Sequence, residues 1–160
     1  MTHTLTLGMI RSFRPCDRGC ATLTKALGTF DPATELTIGD IVISNGLDDA
    51  LWALRCLDRR TAVAAVMPAV KRASRHITDR RVHDCIAAVD RWTAGDESID
   101  LNAAAEAAQE TEAWAAWLAT RAEAWEAWEV AAATGWSATE RNAQRNDLLT
   151  MFPPIKLVAK

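Results

Sequence analysis

The sequence predicts an all-α fold, a compact multi-helix bundle packed around one long alanine- and tryptophan-rich helix. Three observations carry that expectation. Strand signals are sparse, with no tyrosine among the 160 residues and only short β-branched runs. Apolar residues recur at i, i+3, i+4 and i+7 in one segment after another. Residues 101–134 are alanine-rich and contain neither Gly nor Pro to break a helix. A chain of this length, 49% hydrophobic and 24% charged, can bury one core without disulfide staples, so a single α-helical domain over residues 1–160 is expected.

From the N-terminus, residues 15–27 read as a helix carrying Cys16 and Cys20 four apart and closed by Gly28. Phe30-Asp31-Pro32 is a loop. Thr37 caps a short helix with Asp40 in its first turn, and Asn45-Gly46 stops it, so Ile41-Val42-Ile43 belongs to that helix and not to a strand. From Gly46 to Asp58, Leu47, Ala50, Leu51, Leu54 and Leu57 mark an amphipathic helix whose flank carries Asp48, Trp52 and Arg55. The next helix presents Val63, Val66, Met67 and Val70, with Pro68 either kinking it or starting a new turn.

From Asp79, Val82, Cys85, Ile86, Val89 and Trp92 form another apolar stripe that Gly95-Asp96 ends, and Asp100 caps the long helix after it. That helix, from Leu101 to Thr134, sets Trp114, Trp117, Trp125 and Trp128 on one stripe, because an eleven-residue echo spans almost three whole turns. Arg121 projects into the middle of that stripe, where a guanidinium stacks on indole. The stripe reads as core, with a partly exposed binding face as the alternative. Ser137-Ala138-Thr139-Glu140 starts a last helix bearing Leu148, Leu149 and Met151; Pro153-Pro154 stops it and leaves 153–160 as a tail that either frays or docks.

Catalytic chemistry finds little purchase. Cys16 and Cys20 have no second pair for a zinc site, and His76, His83 and Cys85 sit on different faces. His83-Asp84-Cys85 resembles a triad only on paper, since adjacent helical residues diverge by about 100°. The glycines are scattered singly, without a phosphate-binding loop. No enzyme activity, metal or cofactor is expected, and the four cysteines, Cys16, Cys20, Cys56 and Cys85, read as reduced thiols packed as small hydrophobes. Without a membrane-length apolar run or a basic-then-apolar leader, a cytoplasmic location is the expectation.

Charge is unevenly spread. Residues 1–95 hold 13 basic against 10 acidic side chains, and residues 96–160 hold 5 against 11. The basic excess concentrates between Arg55 and Arg81, where Lys71, Arg72 and Arg75 offer a nucleic-acid-binding alternative. Pairing with the acidic second part is the simpler account in an acidic chain. Glu112, Glu123, Glu126 and Glu129 then become a helix surface suited to a basic protein partner, with Asp48, Trp52 and Arg55 as an interface anchor.

The run Asn45-Gly46-Leu47-Asp48-Asp49-Ala50-Leu51-Trp52-Ala53-Leu54-Arg55 resembles the immunity proteins of bacterial polymorphic toxin systems. The similarity continues through Asp79-Arg80-Arg81, Trp92-Thr93-Ala94-Gly95-Asp96, the long alanine helix and the Glu140 to Leu149 segment, although Ala143-Gln144 stands where the family pattern has Trp-Gln. The resemblance implies an all-α cytosolic protein that binds and blocks a cognate toxin domain without chemistry of its own. Similar sequences are also carried by phages, which implies a host-defence effector as the alternative target of a counter-defence inhibitor. The expected partner is therefore a protein, with nucleic acid second, no membrane, and a homodimer compatible with an interchain helix bundle.

Overall fold

Most helices begin where the sequence supplies a side-chain acceptor for a free first-turn amide. The structure, a computed structural model, describes residues 3–109 and 137–157. In chain order it contains β1 (Leu5–Thr6), α1 (Leu7–Ser12), α2 (Asp17–Leu27), β2 (Glu35–Leu36), α3 (Ile38–Asn45) and α4 (Leu47–Ala53). Next come a 3-10 turn (Leu54–Cys56), α5 (Arg59–Ala73), a second 3-10 turn (Ser74–His76), α6 (Arg80–Thr93), α7 (Leu101–Gln109) and α8 (Ala138–Met151). Thr6, Cys16, Thr37, Asp58, Asp79, Asp100 and Ser137 each accept a backbone N–H at the start of the adjoining helix. Gly28 closes α2 at φ 68°, a left-handed conformation that an L side chain resists.

The fold is all-α, as the sequence predicts, apart from a two-residue antiparallel pairing that the sequence does not announce. β1 and β2 meet in the register Leu5↔Leu36 and Thr6↔Glu35. Leu5 and Leu36 are almost fully buried there, and the pairing ties the start of the chain to the entry of α3.

The core lies between α3, α5, α6 and α8. Val63, Val66 and Val70 of α5 meet Val82 and Val89 of α6, with Leu148 of α8 and Phe152 closing the same cluster. α5 continues through Pro68. The apolar stripe of residues 47–57 is tighter at its end than expected: α4 stops at Ala53, a 3-10 turn succeeds it, and Leu57 is already extended before Asp58 caps α5. α7 covers the first nine residues of the segment expected to form one long helix; the rest of that expectation, with the Trp114/Trp117/Trp125/Trp128 stripe, Arg121 and its place at the centre of the bundle, falls outside the described residues.

Two polar clusters fasten the layers. Arg72 donates from Nη2 to Glu140 Oε1 (2.8 Å) and from Nε to Oε2 (2.9 Å), which joins α5 to α8. Its Nη2 also lies 2.7 Å from Asp147 Oδ2, an ion contact not aligned as a hydrogen bond. The Glu140 hydrogen bond, supported by Asp147, outweighs partial burial and raises the already high pKa of the guanidinium.

The second cluster is the tail. Beyond α8 the chain docks through residue 157. Asp40, 0% exposed, accepts the backbone N–H groups of Thr37 (2.9 Å), Ile155 (3.3 Å), Lys156 (2.9 Å) and Leu157 (2.8 Å). The Thr37 hydroxyl lies 3.1 Å from the carbonyl oxygen of Pro153. Gly39 makes this approach possible, because a Cβ there would overlap the carbonyl oxygen of Phe152. The fully buried first turn of α3, Ile38 to Val42, is thus enclosed partly by the tail.

Candidate functional site

Where α2 crosses α3 and α4, the packing leaves an open cleft of about 370 Å³. Ile10, Pro15, Leu23 and Ile41 line it together with Leu51, Trp52 and Ala53 of α4. The walls are where they are because α4 is amphipathic. Leu47, Ala50 and Leu51 turn inward, while Asp48 and Asp49 occupy its first turn, where negative charge is favoured by the exposed amides of the helix start.

Polar groups gather on one side. Asn45 Nδ2 donates to Asp49 Oδ2 (2.7 Å) and to the carbonyl oxygen of Gly19 (2.8 Å), bridging α3, α4 and α2. Gly19 has no side chain to intrude; a Cβ there would lie 2.9 Å from Asp49 Oδ2 and 3.2 Å from Cys16 Sγ. Asp49 is half-buried, and among the described residues no basic side chain pairs with it. Asp48, by contrast, is exposed and accepts from Arg141 Nη2 at 2.7 Å.

The residues singled out in the sequence separate into several groups. Asp48 and Trp52 both line the cleft. Arg55 lies beside it, its guanidinium 4.5 Å from the centre of the Trp52 ring and its Nε donating to the Trp52 carbonyl at 3.1 Å. Asp48 does not pair with Arg55, because the 3-10 turn curls Arg55 back onto Trp52; its partner Arg141 comes from α8. Arg80 and Asp84 pair with each other on the surface of α6. Glu112, Glu123, Glu126 and Glu129 lie outside the described residues.

The basic segment is largely neutralised within the chain. Lys71 pairs with Asp90 (2.7 Å), Arg72 with Glu140 and Asp147, Arg60 with Glu97 and Arg81 with Asp79. Arg59 and Arg60 also hold their guanidinium groups over Trp92, at 5.3 and 5.0 Å. Arg75 is exposed and has no ion pair among the described residues.

The cysteines correct the expectation that all four pack as core. Cys56 and Cys85 are buried, and burial pushes the Cys56 thiol up to about 11 despite the nearby Arg55. Cys16 is exposed and Cys20 half-buried; both line the cleft, with Cys16 Sγ accepting the Gly19 N–H at 3.3 Å as the cap of α2. Helical geometry keeps His83, Asp84 and Cys85 apart: His83 Nε2 lies 2.7 Å from the Ile77 carbonyl oxygen, Asp84 pairs with Arg80, and Cys85 points into the core. Among the described residues no three His, Cys, Asp or Glu side chains could hold a metal ion, and no helix is long and apolar enough to cross a membrane.

Asn45 and Arg141 are the site residues that sequence reasoning missed, while Asp49, paired with Asp48 in the sequence, reads there as a solvated helical acid. Asn45 reads locally as a helix stop, and Arg141 as one cation on a polar helix. Comparison with known proteins returns no match, whether to a family model, a curated protein or a solved structure.

Proposed function

We propose that this protein is an immunity-type inhibitor, a cytoplasmic α-helical protein that binds a toxin domain or a host-defence effector and occludes its functional surface. The observation that supports this most is the open apolar cleft with acidic residues at its edge, walled in part by the segment Asn45 to Arg55 that carries the resemblance to immunity proteins. An apolar recess beside an aromatic residue and carboxylates is the kind of surface on which a protein partner anchors. The neighbouring acids favour a basic partner and speed its approach.

Nucleic-acid binding through Lys71, Arg72 and Arg75 has less support, because two of those three cations are committed to carboxylates within the chain.

The test is capture from a lysate of the native host, with assay of the retained protein. Stoichiometric retention of one protein whose activity falls when this chain is added is the expected result. Retention of nucleic acid alone, released by salt, would sink the proposal.

A further inference from the structure

Resting on that function, we infer that the cleft between α2 and α4 takes a protruding segment of the target in which a large apolar side chain lies next to a lysine or arginine. The apolar side chain fills the recess and the cation reaches Asp49.

Size and charge define this occupant together. A cavity of about 150 Å³ is enough to hold benzene. This cleft, at about 370 Å³, has room for an aromatic or long aliphatic side chain and part of the backbone that carries it. Leu23, Ile41, Leu51 and Trp52 offer it apolar contact. Asp49 supplies the charge. Asn45 holds one of its oxygens at 2.7 Å, the carboxylate is half-buried beside apolar walls, and no cation of the described chain pairs with it. A carboxylate in such surroundings gains from a cation delivered to it. Asp48 is not available in the same way, because Arg141 already occupies it. An anionic or purely apolar occupant would leave Asp49 facing either a like charge or nothing.

The experiment uses the full chain and two probes with the same indole body: tryptamine, a cation, and indole-3-propionate, an anion. Amide NMR titration should show tryptamine moving the signals of Cys20, Leu23, Leu51 and Trp52, with indole-3-propionate binding at least about tenfold more weakly. Asp49→Asn should weaken tryptamine by about tenfold and strengthen the anion, so that the preference between the two probes collapses. Equal binding of the two probes, or shifts confined to another face, would overturn the inference.

N-ethylmaleimide on Cys16 and Cys20 of the folded protein plugs the cleft without asking a variant to fold, and it should abolish both tryptamine binding and target capture. A plugged protein that still captures the target excludes the cleft as the docking site, even if tryptamine binds the unplugged form, while leaving the inhibitor function standing. Absence of any captured target for the unmodified protein counts against the function itself.

Discussion

Asp40 and Lys156 are joined by a hydrogen bond across 116 positions of sequence: the Lys156 amide donates to Asp40 Oδ1 at 2.9 Å, next to the Leu157 amide at 2.8 Å. A buried carboxylate therefore serves two purposes. It completes the capping box of α3 with Thr37, and it gathers three successive amides of the tail.

Asp40→Asn should cost about 2–4 kcal/mol, because an amide NH2 would replace one acceptor and face donors in a buried place. Urea unfolding measures the loss, and limited proteolysis should cut the tail sooner. An unchanged midpoint would mean that the tail adds nothing to stability.

Arg72→Lys should behave almost as badly as Arg72→Met, losing about 2–3 kcal/mol, since an ammonium cannot reproduce the two-pronged contact with Glu140 and either change disturbs charges that are mostly shielded from water. A double-mutant cycle with Glu140→Gln measures the coupling. Full rescue by lysine would show that charge alone matters.

Acid should loosen the starts of α5 and α6. At Asp58, partial burial pulls the pKa upward, but hydrogen bonds from the Thr61 hydroxyl and amide, with His3 nearby, outweigh it and leave the group below its ordinary 3.8. At Asp79 the hydrogen bonds from the side chain and amide of Arg81 lower it as well. A carboxyl group whose pKa is lowered by folding adds stability above its unfolded value, and that contribution disappears as pH falls through the folded value. The urea midpoint should therefore drop below pH 3.8, and Asp58→Ala should flatten that limb of the profile. A variant with the same acid limb as the parent would show that the cap is not responsible.

Alkylation of the native protein should divide the thiols. Cys16 reacts first and Cys20 next, while Cys56 and Cys85 wait for unfolding, because both are buried and Cys56 ionises only near pH 11. Peptide mapping after a short iodoacetamide pulse reads the order. Early labelling of Cys56 would place it in a region that opens readily.

Local signals were legible in the sequence and distant partners were not. Thr37, Asp79, Asp100 and Ser137 announce helix starts within a few residues, and the structure has each of them as a cap. The stripe of Val63, Val66, Met67 and Val70 is buried as its spacing predicts. The β1–β2 pairing escaped because two residues cannot show an alternation, and α1 is too short to show a helical period. At the site, the spacing of Asp48, Trp52 and Arg55 placed them together on one flank, but it could not say that Arg141 would claim Asp48, 93 positions away. Cys16 looked like core because thiols usually are; its position as a helix cap turned it outward.

Gly39 and the tail that presses on it also bear on how the chain comes together on the ribosome. Residues 37–42 emerge early, yet the amides that enclose Asp40 are synthesised more than a hundred residues later. Until residues 155–157 have been made, α3 has its own cap but lacks part of its cover. A chain lacking everything from residue 152 onward would leave the first turn of α3, and with it one side of the cleft, without that cover.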